Sequence, residues 1–342
     1  MTATDNRLAL SGVPGSPYTR KMLAVLRYRH IPYRLIMGSR DMPGLPQPKV
    51  GLLPTFYFPD GAGSLQAVTD STPIIRRLER EHPERSVRPA NPVLALIDAI
   101  LEDYGDEWLT KAMFHYRWHY ADDIARSAAV LPNWARGRMS DEALKAAGTV
   151  FAERQIPRLR YVGSNETTWD VIEASYMRFL DAMEAHLRDH AFLLGARPGA
   201  GDFGVFGQLT QLALFDPTPM AITAVRAPRV MAWTAALEDL TGLEPRDSDW
   251  FDPAALPATL TAILKEVGRV YVPLLLANAK AVRAGAEQVE TVIDGKAWVQ
   301  QPFPYQAKCL MWLREEYATL DTGARAEADA ALAGTGCEAL FA

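Results

Sequence analysis

Apolar and polar positions in the first eighty residues switch between two periods. Residues 7–11 (RLALS) read as a short strand. Beyond a Gly/Pro turn, Met22, Leu23, Val25 and Leu26 recur at helical spacing and predict a helix over 17–29. Strands are predicted at 33–37, 55–58 and 65–69, the last two close enough to form a hairpin across Pro59-Asp60-Gly61. Between 42 and 51, Pro43, Pro46 and Pro48 argue against a regular helix. A helix opening at Asp70-Ser71 carries Ile74, Ile75 and Leu78 on one face. The order β-α-β, loop, β-β-α predicts a small α/β domain with a mixed sheet over 1–82.

Pro83, Pro89 and Pro92 mark a linker at 81–92, and the pattern turns helical from 93 to 243. One or two helices are predicted over 93–128. Others are predicted at 141–161 (kinked at Pro157), 168–190, 201–215 and 229–240, forming an all-α domain. Residues 246–342 form a third part. Helices are expected at 260–284, 305–320 and 324–332, with a hairpin at 290–299 about Asp294-Gly295.

With 342 residues the chain is too long for one small domain. Its net charge of −5 is spread without a basic block, which argues against a nucleic-acid partner. The apolar run 270–277 is broken by Pro273 and is too short to span a bilayer, so no membrane partner is expected. The polar first residues lack a signal-peptide pattern. Cys309 and Cys337 make neither a disulfide framework nor a zinc pattern. A cytoplasmic protein with free thiols is expected.

Chemistry centres on Gly12 to Lys21 (GVPGSPYTRK). Ser16 reads as the N-cap of the first helix and Pro17 as its first residue. A helix start offers free N–H groups and partial positive charge, which suit an anion such as a thiolate. The same Ser-Pro pair also serves as a plain cap.

Four motifs, in order, resemble the glutathione transferase family over residues 5–242. Ser16-Pro17-Tyr18-Thr19-Arg20 is similar to the glutaredoxin-type Cys-Pro-Tyr-Cys, with Ser16 and Thr19 in the cysteine places. Gly51-Leu52-Leu53-Pro54-Thr55-Phe56 resembles the family's cis-proline loop, and Asp70-Ser71-Thr72-Pro73-Ile74 its Glu/Asp-Ser-x-x-Ile motif. Phe192-Leu193-Leu194-Gly195 followed by Pro198-Gly-Ala-Gly-Asp202-Phe203 resembles its capping-box and staple motif.

The resemblance implies a thioredoxin-like N-terminal domain and an all-α C-terminal domain, with a mostly helical extension that it does not explain. It also implies glutathione as co-substrate, no metal, and a catalytic Ser16 donating to the glutathione sulfur. The backbone of Leu53, before Pro54, would pair with the tripeptide. Ser71 would hold the γ-glutamyl carboxylate and Asp70 the ammonium. A homodimer is expected. Two places depart from the family: Leu52 stands where a Lys often holds the glycyl carboxylate (leaving Lys49 or Arg40), and Gly199 stands where the cap is usually Ser or Thr.

Glu102 to Trp108 is acidic and aromatic. Either it flanks the substrate pocket, as the resemblance implies for this helix, with Tyr18, Tyr104, Trp108 and His115 as candidates, or it is a solvated acidic face with Trp108 in the core. His115 and His119 lie four apart, but no His-Glu-x-x-His pattern surrounds them and no metal is expected. The reading is a transferase whose bound thiolate attacks an apolar electrophile. The alternatives are a non-catalytic scaffold of the same fold and a glutathione-dependent lyase or isomerase. Serine at position 16 argues against a thiol–disulfide oxidoreductase, because it cannot form the mixed disulfide.

Overall fold

The computed structural model describes residues 7–37, 44–136 and 139–342. The N-terminal part runs β1 (Leu8–Gly12), α1 (Pro17–Tyr28), β2 (Tyr33–Met37), β3 (Thr55–Pro59), β4 (Leu65–Val68) and α2 (Ser71–Glu81). The sheet order is β2-β1-β3-β4. The β1–β2 pair is parallel and the other two pairs are antiparallel, so the sheet is mixed as expected. Period two puts Leu10, Phe56 and Phe58 into the main core and leaves Ala9, Ile36 and Tyr57 as a small cluster on the opposite face. The α1 helix packs Met22, Leu23, Val25 and Leu26 into the main core. Its start is set by Ser16, whose Oγ accepts from the Thr19 N–H at 3.3 Å, and by Pro17 in the first turn.

The helical part begins with α3 (Pro92–Tyr104), capped by Asn91 Oδ1 on the Val93 and Leu94 N–H groups. It passes through a π-helical turn, Gly105–Leu109, into α4 (Thr110–His119). Extended backbone at Tyr120 (ψ 136°) then breaks the run before α5 (Ala121–Arg136). The expectation of one or two helices over 93–128 thus becomes three, with a π turn between the first two. Helix α6 (Asp141–Gln155) tightens into a 3₁₀ turn at Pro157, and α7 (Trp169–His186), α8 (Ala200–Leu212), α9 (Pro217–Arg226) and α10 (Pro228–Ala236) follow.

Gly199 has no side chain to cap α8, and Asp98 of α3 does the work from outside. Its carboxylate accepts from the Ala200 and Gly201 N–H groups at 3.2 and 2.9 Å. Asp202 reaches back to the N–H groups of Gly199 and Leu193, both at 2.9 Å.

The extension comprises α11 (Ala258–Glu266), a second π turn (Val267–Tyr271), α12 (Val272–Ala284), the hairpin β5 (Val289–Ile293) and β6 (Lys296–Gln300), α13 (Pro304–Ala318) and α14 (Thr322–Leu332). Asp294 and Gly295 both have positive φ, 53° and 74°, the geometry of a type I′ turn. The extension is part of the core. Tyr271 and Trp298 are fully buried, their rings 6.2 Å from Tyr104 and 5.3 Å from Trp108. One hydrophobic cluster runs through all three parts. Among the described residues no helix is long and apolar enough to cross a membrane.

Truncating Trp298 leaves a large cavity beside Trp108. Trp298→Ala is expected to destabilise the protein by about 3–5 kcal/mol in urea unfolding. Deleting 246–342 uncovers Tyr104 and Trp108, and loss of a cooperative transition by circular dichroism is the expected result.

Candidate functional site

The residues that the resemblance assigns to glutathione lie at the start of α1, in the loop before β3 and at the start of α2. The Leu53–Pro54 peptide is cis. Ser16 Oγ donates to the Leu53 carbonyl at 3.4 Å, a long and weak bond, while its lone pairs take the Thr19 N–H. Ser16 is half-buried and Leu52, beside the loop, is exposed. Thr19, in the second cysteine place, is fully buried. Lys49 is exposed, and Arg40, the other candidate for the glycyl carboxylate, lies outside the described residues.

Asp70 precedes α2 with φ +86°, a conformation that costs a non-glycine residue about 1–3 kcal/mol. Its side chain does not cap the helix, so the first N–H groups of α2 have no cap from Asp70. The carboxylate instead accepts a 2.8 Å hydrogen bond from Tyr305 of α13, and burial pushes its pKa up. The Ser71 hydroxyl faces inward and accepts from Lys21 Nζ at 3.2 Å.

Lys21 is the centre of a buried ionic cluster. Its ammonium is 2.7 Å from Glu102 Oε1 and 2.6 Å from Asp106 Oδ2, with no exposed side-chain surface. Burial pulls the ammonium down, but Asp106 and Glu102 outweigh it and hold its pKa above the ordinary lysine value. Burial pushes Asp106 up to about 6 despite Lys21. The π turn places Asp106 and Glu107 side by side against this cluster. Glu107 accepts from Gln306 and Asp103 from Tyr271. Burial raises Asp103 to about 7. Between α2, α3 and α13 these carboxylates line a cavity of about 20 Å³, room for one water, with Tyr305, Cys309 and Trp312 on its far wall.

The solvated acidic face allowed by the sequence is instead buried, Glu102 and Asp106 against Lys21 of α1 and Asp103 and Glu107 against Tyr271 and Gln306 of the extension. Tyr104, Trp108 and His115, read as candidate pocket residues, are core residues here, at most 1% exposed. Trp108 Nε1 donates to Ser175 Oγ at 3.0 Å. The His115 ring sits between Ser164 Oγ (2.8 Å) and Glu173 Oε1 (3.0 Å). Tyr18 donates its phenol to the Asp106 carbonyl at 2.7 Å, tying α1 to the π turn, and burial raises its pKa well above the ordinary phenol value. Among the described residues no three His, Cys, Asp or Glu side chains are grouped to hold a metal ion.

Sequence reasoning missed Lys21, Asp106 and Tyr305. Lys21 left a signal, a lysine four residues before Val25 on the apolar face of α1, which requires a buried counter-charge. Tyr305 lies 235 residues from Asp70 and left none.

A family model described as glutathione S-transferase, N-terminal domain, matches residues 10–86, and one for the C-terminal domain of the same family matches residues 142–236; together they span half of the chain. No curated protein matches the chain. Among solved structures, one similar chain is a glutathione S-transferase from Methylobacterium radiotolerans in complex with glutathione sulfonate. It is 20% identical, covers 72% of this chain and 96% of its own, and has a TM-score of 0.41. A glutathione transferase family member from Pseudomonas fluorescens, with two glutathione bound, is 14% identical over 77% and 94% of the two chains, with a TM-score of 0.41. The β-etherase LigF from Sphingobium sp. strain SYK-6 is 20% identical over 67% and 94%, with a TM-score of 0.45.

Removing Lys21 strands two buried carboxylates. Lys21→Met is expected to cost about 3–5 kcal/mol at pH 8. Lys21 is one of the groups that hold Asp106 down, so without it Asp106 titrates above its wild-type value of about 6. The loss therefore grows as the pH rises above about 6 and levels off below it, where the carboxyl is protonated in both folded proteins. Urea unfolding of both proteins at pH 5 and pH 8 measures this, and an equal loss at both values would count against the cluster.

Proposed function

The chain belongs to the glutathione S-transferase family, and from that premise we propose that it binds glutathione in the Ser16, Leu53-Pro54 and Asp70-Ser71 crevice and activates its thiol. The observation that carries this reading is the 3.4 Å approach of Ser16 Oγ to the Leu53 carbonyl. It sets a hydroxyl at a helix N-terminus beside an open backbone edge. Bound glutathione lies along that edge as an added strand, its cysteinyl N–H on the Leu53 carbonyl. The Ser16 hydroxyl, released from a weak bond, then turns to the sulfur. A hydrogen bond to the charged form lowers the thiol pKa, and the start of α1 adds its partial positive charge.

At the other end the γ-glutamyl carboxylate meets the first N–H groups of α2, with the Lys21 ammonium behind the Ser71 hydroxyl. The ammonium meets Asp70. The thiolate attacks an electrophilic carbon, forming an S–C bond while the displaced electron pair leaves with the departing group. The electrophile is apolar in this reading.

One observation favours a second reading, a family member that keeps the fold without the chemistry. Tyr305 already occupies Asp70, and Lys21 occupies Ser71. Calorimetry separates the two. The transferase reading expects glutathione to bind the wild type, and Ser71→Ala to weaken binding by about 5- to 30-fold, the worth of one or two hydrogen bonds. A wild type that binds no glutathione favours the second reading. If binding holds, Ser16→Ala should raise the pKa of the bound thiol, followed as thiolate absorbance against pH.

A further inference from the structure

The turn that presents Ser16 is held from the helical part of the chain. The Ser16 N–H donates to the Val13 carbonyl at 3.0 Å and closes the four-residue turn Val13-Pro14-Gly15-Ser16. Both central carbonyls of that turn are gripped by side chains of distant helices. Gln211 Nε2, on α8, donates to the Pro14 carbonyl at 3.2 Å, and Arg117 Nη1, on α4, donates to the Gly15 carbonyl at 3.1 Å.

The grip is itself fixed. Arg117 is 4% exposed and Asp216 fully buried. Arg117 Nε lies 3.0 and 3.1 Å from the two Asp216 oxygens. Its Nη2 donates to Asp216 Oδ2 at 2.9 Å and to Gln211 Oε1 at 2.7 Å. The planar fork thus has one nitrogen left for the turn and no freedom in aiming it. On the side of α5, a Cβ at Gly15 would come within 2.5 Å of Leu131 Cδ2 and 3.2 Å of Trp134 Cε3, so the turn is pressed flat against that helix.

A buried ion pair of this kind adds little net stability over an apolar pair of the same shape, and its worth lies in orientation. We propose that Arg117, assisted by Gln211, is a positioning residue for Ser16: it fixes the Pro14-Gly15 carbonyls and thereby the place of the Ser16 hydroxyl relative to the bound sulfur. The inference rests on the reading that Ser16 faces the glutathione thiolate. Thiolate stabilisation by one hydroxyl depends on its distance and angle, so a turn that drifts by an ångström forfeits the effect. Arg117 and Gln211 act through the backbone of the turn, so glutathione affinity, set at Leu53 and at the start of α2, is left alone.

The test is the thiolate titration of bound glutathione, paired with its calorimetric affinity, in wild type, Ser16→Ala, Gln211→Met and Arg117→Lys. Gln211→Met removes the donor to Pro14 and leaves the Arg117–Asp216 pair in place, so it carries the test if Arg117→Lys does not fold. The expected result is a thiol pKa raised by about half a unit to one unit in both clamp variants, toward the Ser16→Ala value, with affinity within about threefold of wild type. If Ser16→Ala shifts the titration and the folded clamp variants do not, the clamp is overturned and the glutathione reading stands. A clamp variant that loses affinity by tenfold or more without a pKa change has a merely structural role, which also overturns the proposal. An unmoved Ser16→Ala titration removes Ser16 from the chemistry, and the clamp with it.

Discussion

The ammonium of Lys21 is where three elements meet. Through one nitrogen, α1 is tied to the start of α2 at Ser71, to α3 at Glu102 and to the π turn at Asp106. An isolated buried ammonium is intolerable in an apolar interior, so this lysine commits the chain to supply carboxylates from the helical part. The N-terminal α/β unit therefore cannot finish its own interior. The proposed glutathione crevice inherits the constraint, because the α2 start that would seat the γ-glutamyl end is held in place by the same charge.

The extension answers a second deficiency. The α3–π–α4 segment is apolar and acidic on a face that the N-terminal part covers only in part, at Glu102 and Asp106. Tyr271 and Trp298 cover the apolar portion, Gln306 covers the acidic portion at Glu107, and Tyr305 beside it bonds Asp70 at the start of α2. Carboxylates in this position are pushed toward neutrality, so they can sit in a cavity the size of one water without a counter-ion for each. The chain has in effect built its own wall along the side of the crevice where Asp70 lies.

Much of the architecture was legible in the sequence because it is written in local period and turn chemistry. The strands of the mixed sheet, the Ser16 cap and the Asp294-Gly295 hairpin all depend on residues within a few positions of one another. Helix α9 was missed because Pro217, Pro219 and Pro228 look like breakers, although proline at the first turn starts a helix as readily as it ends one. The acidic stretch at Glu102–Glu107 has no local placement signal, since burial of its carboxylates depends on partners 30 to 199 positions away. The position of Tyr104, Trp108 and His115 on the long helix suggests a pocket, yet the extension closes over the first two and Ser164 and Glu173 of the helical part enclose His115. Arg117 and Gln211 left no local pattern at all, because their role exists only once α4, α8 and the Ser16 turn have come together.

Gly199 shows how a family consensus can mislead. Serine or threonine is the better helix cap in isolation, and a stability engineer would restore it here. In this chain the Asp98 carboxylate already occupies the volume, its Oδ1 lying 2.3 Å from where a Cβ at position 199 would be. The glycine and the aspartate form a single solution spread over two helices, and the ordinary residue can return to one only if the other gives way. Transplanting residues between members of the family by aligned position alone would miss that dependence.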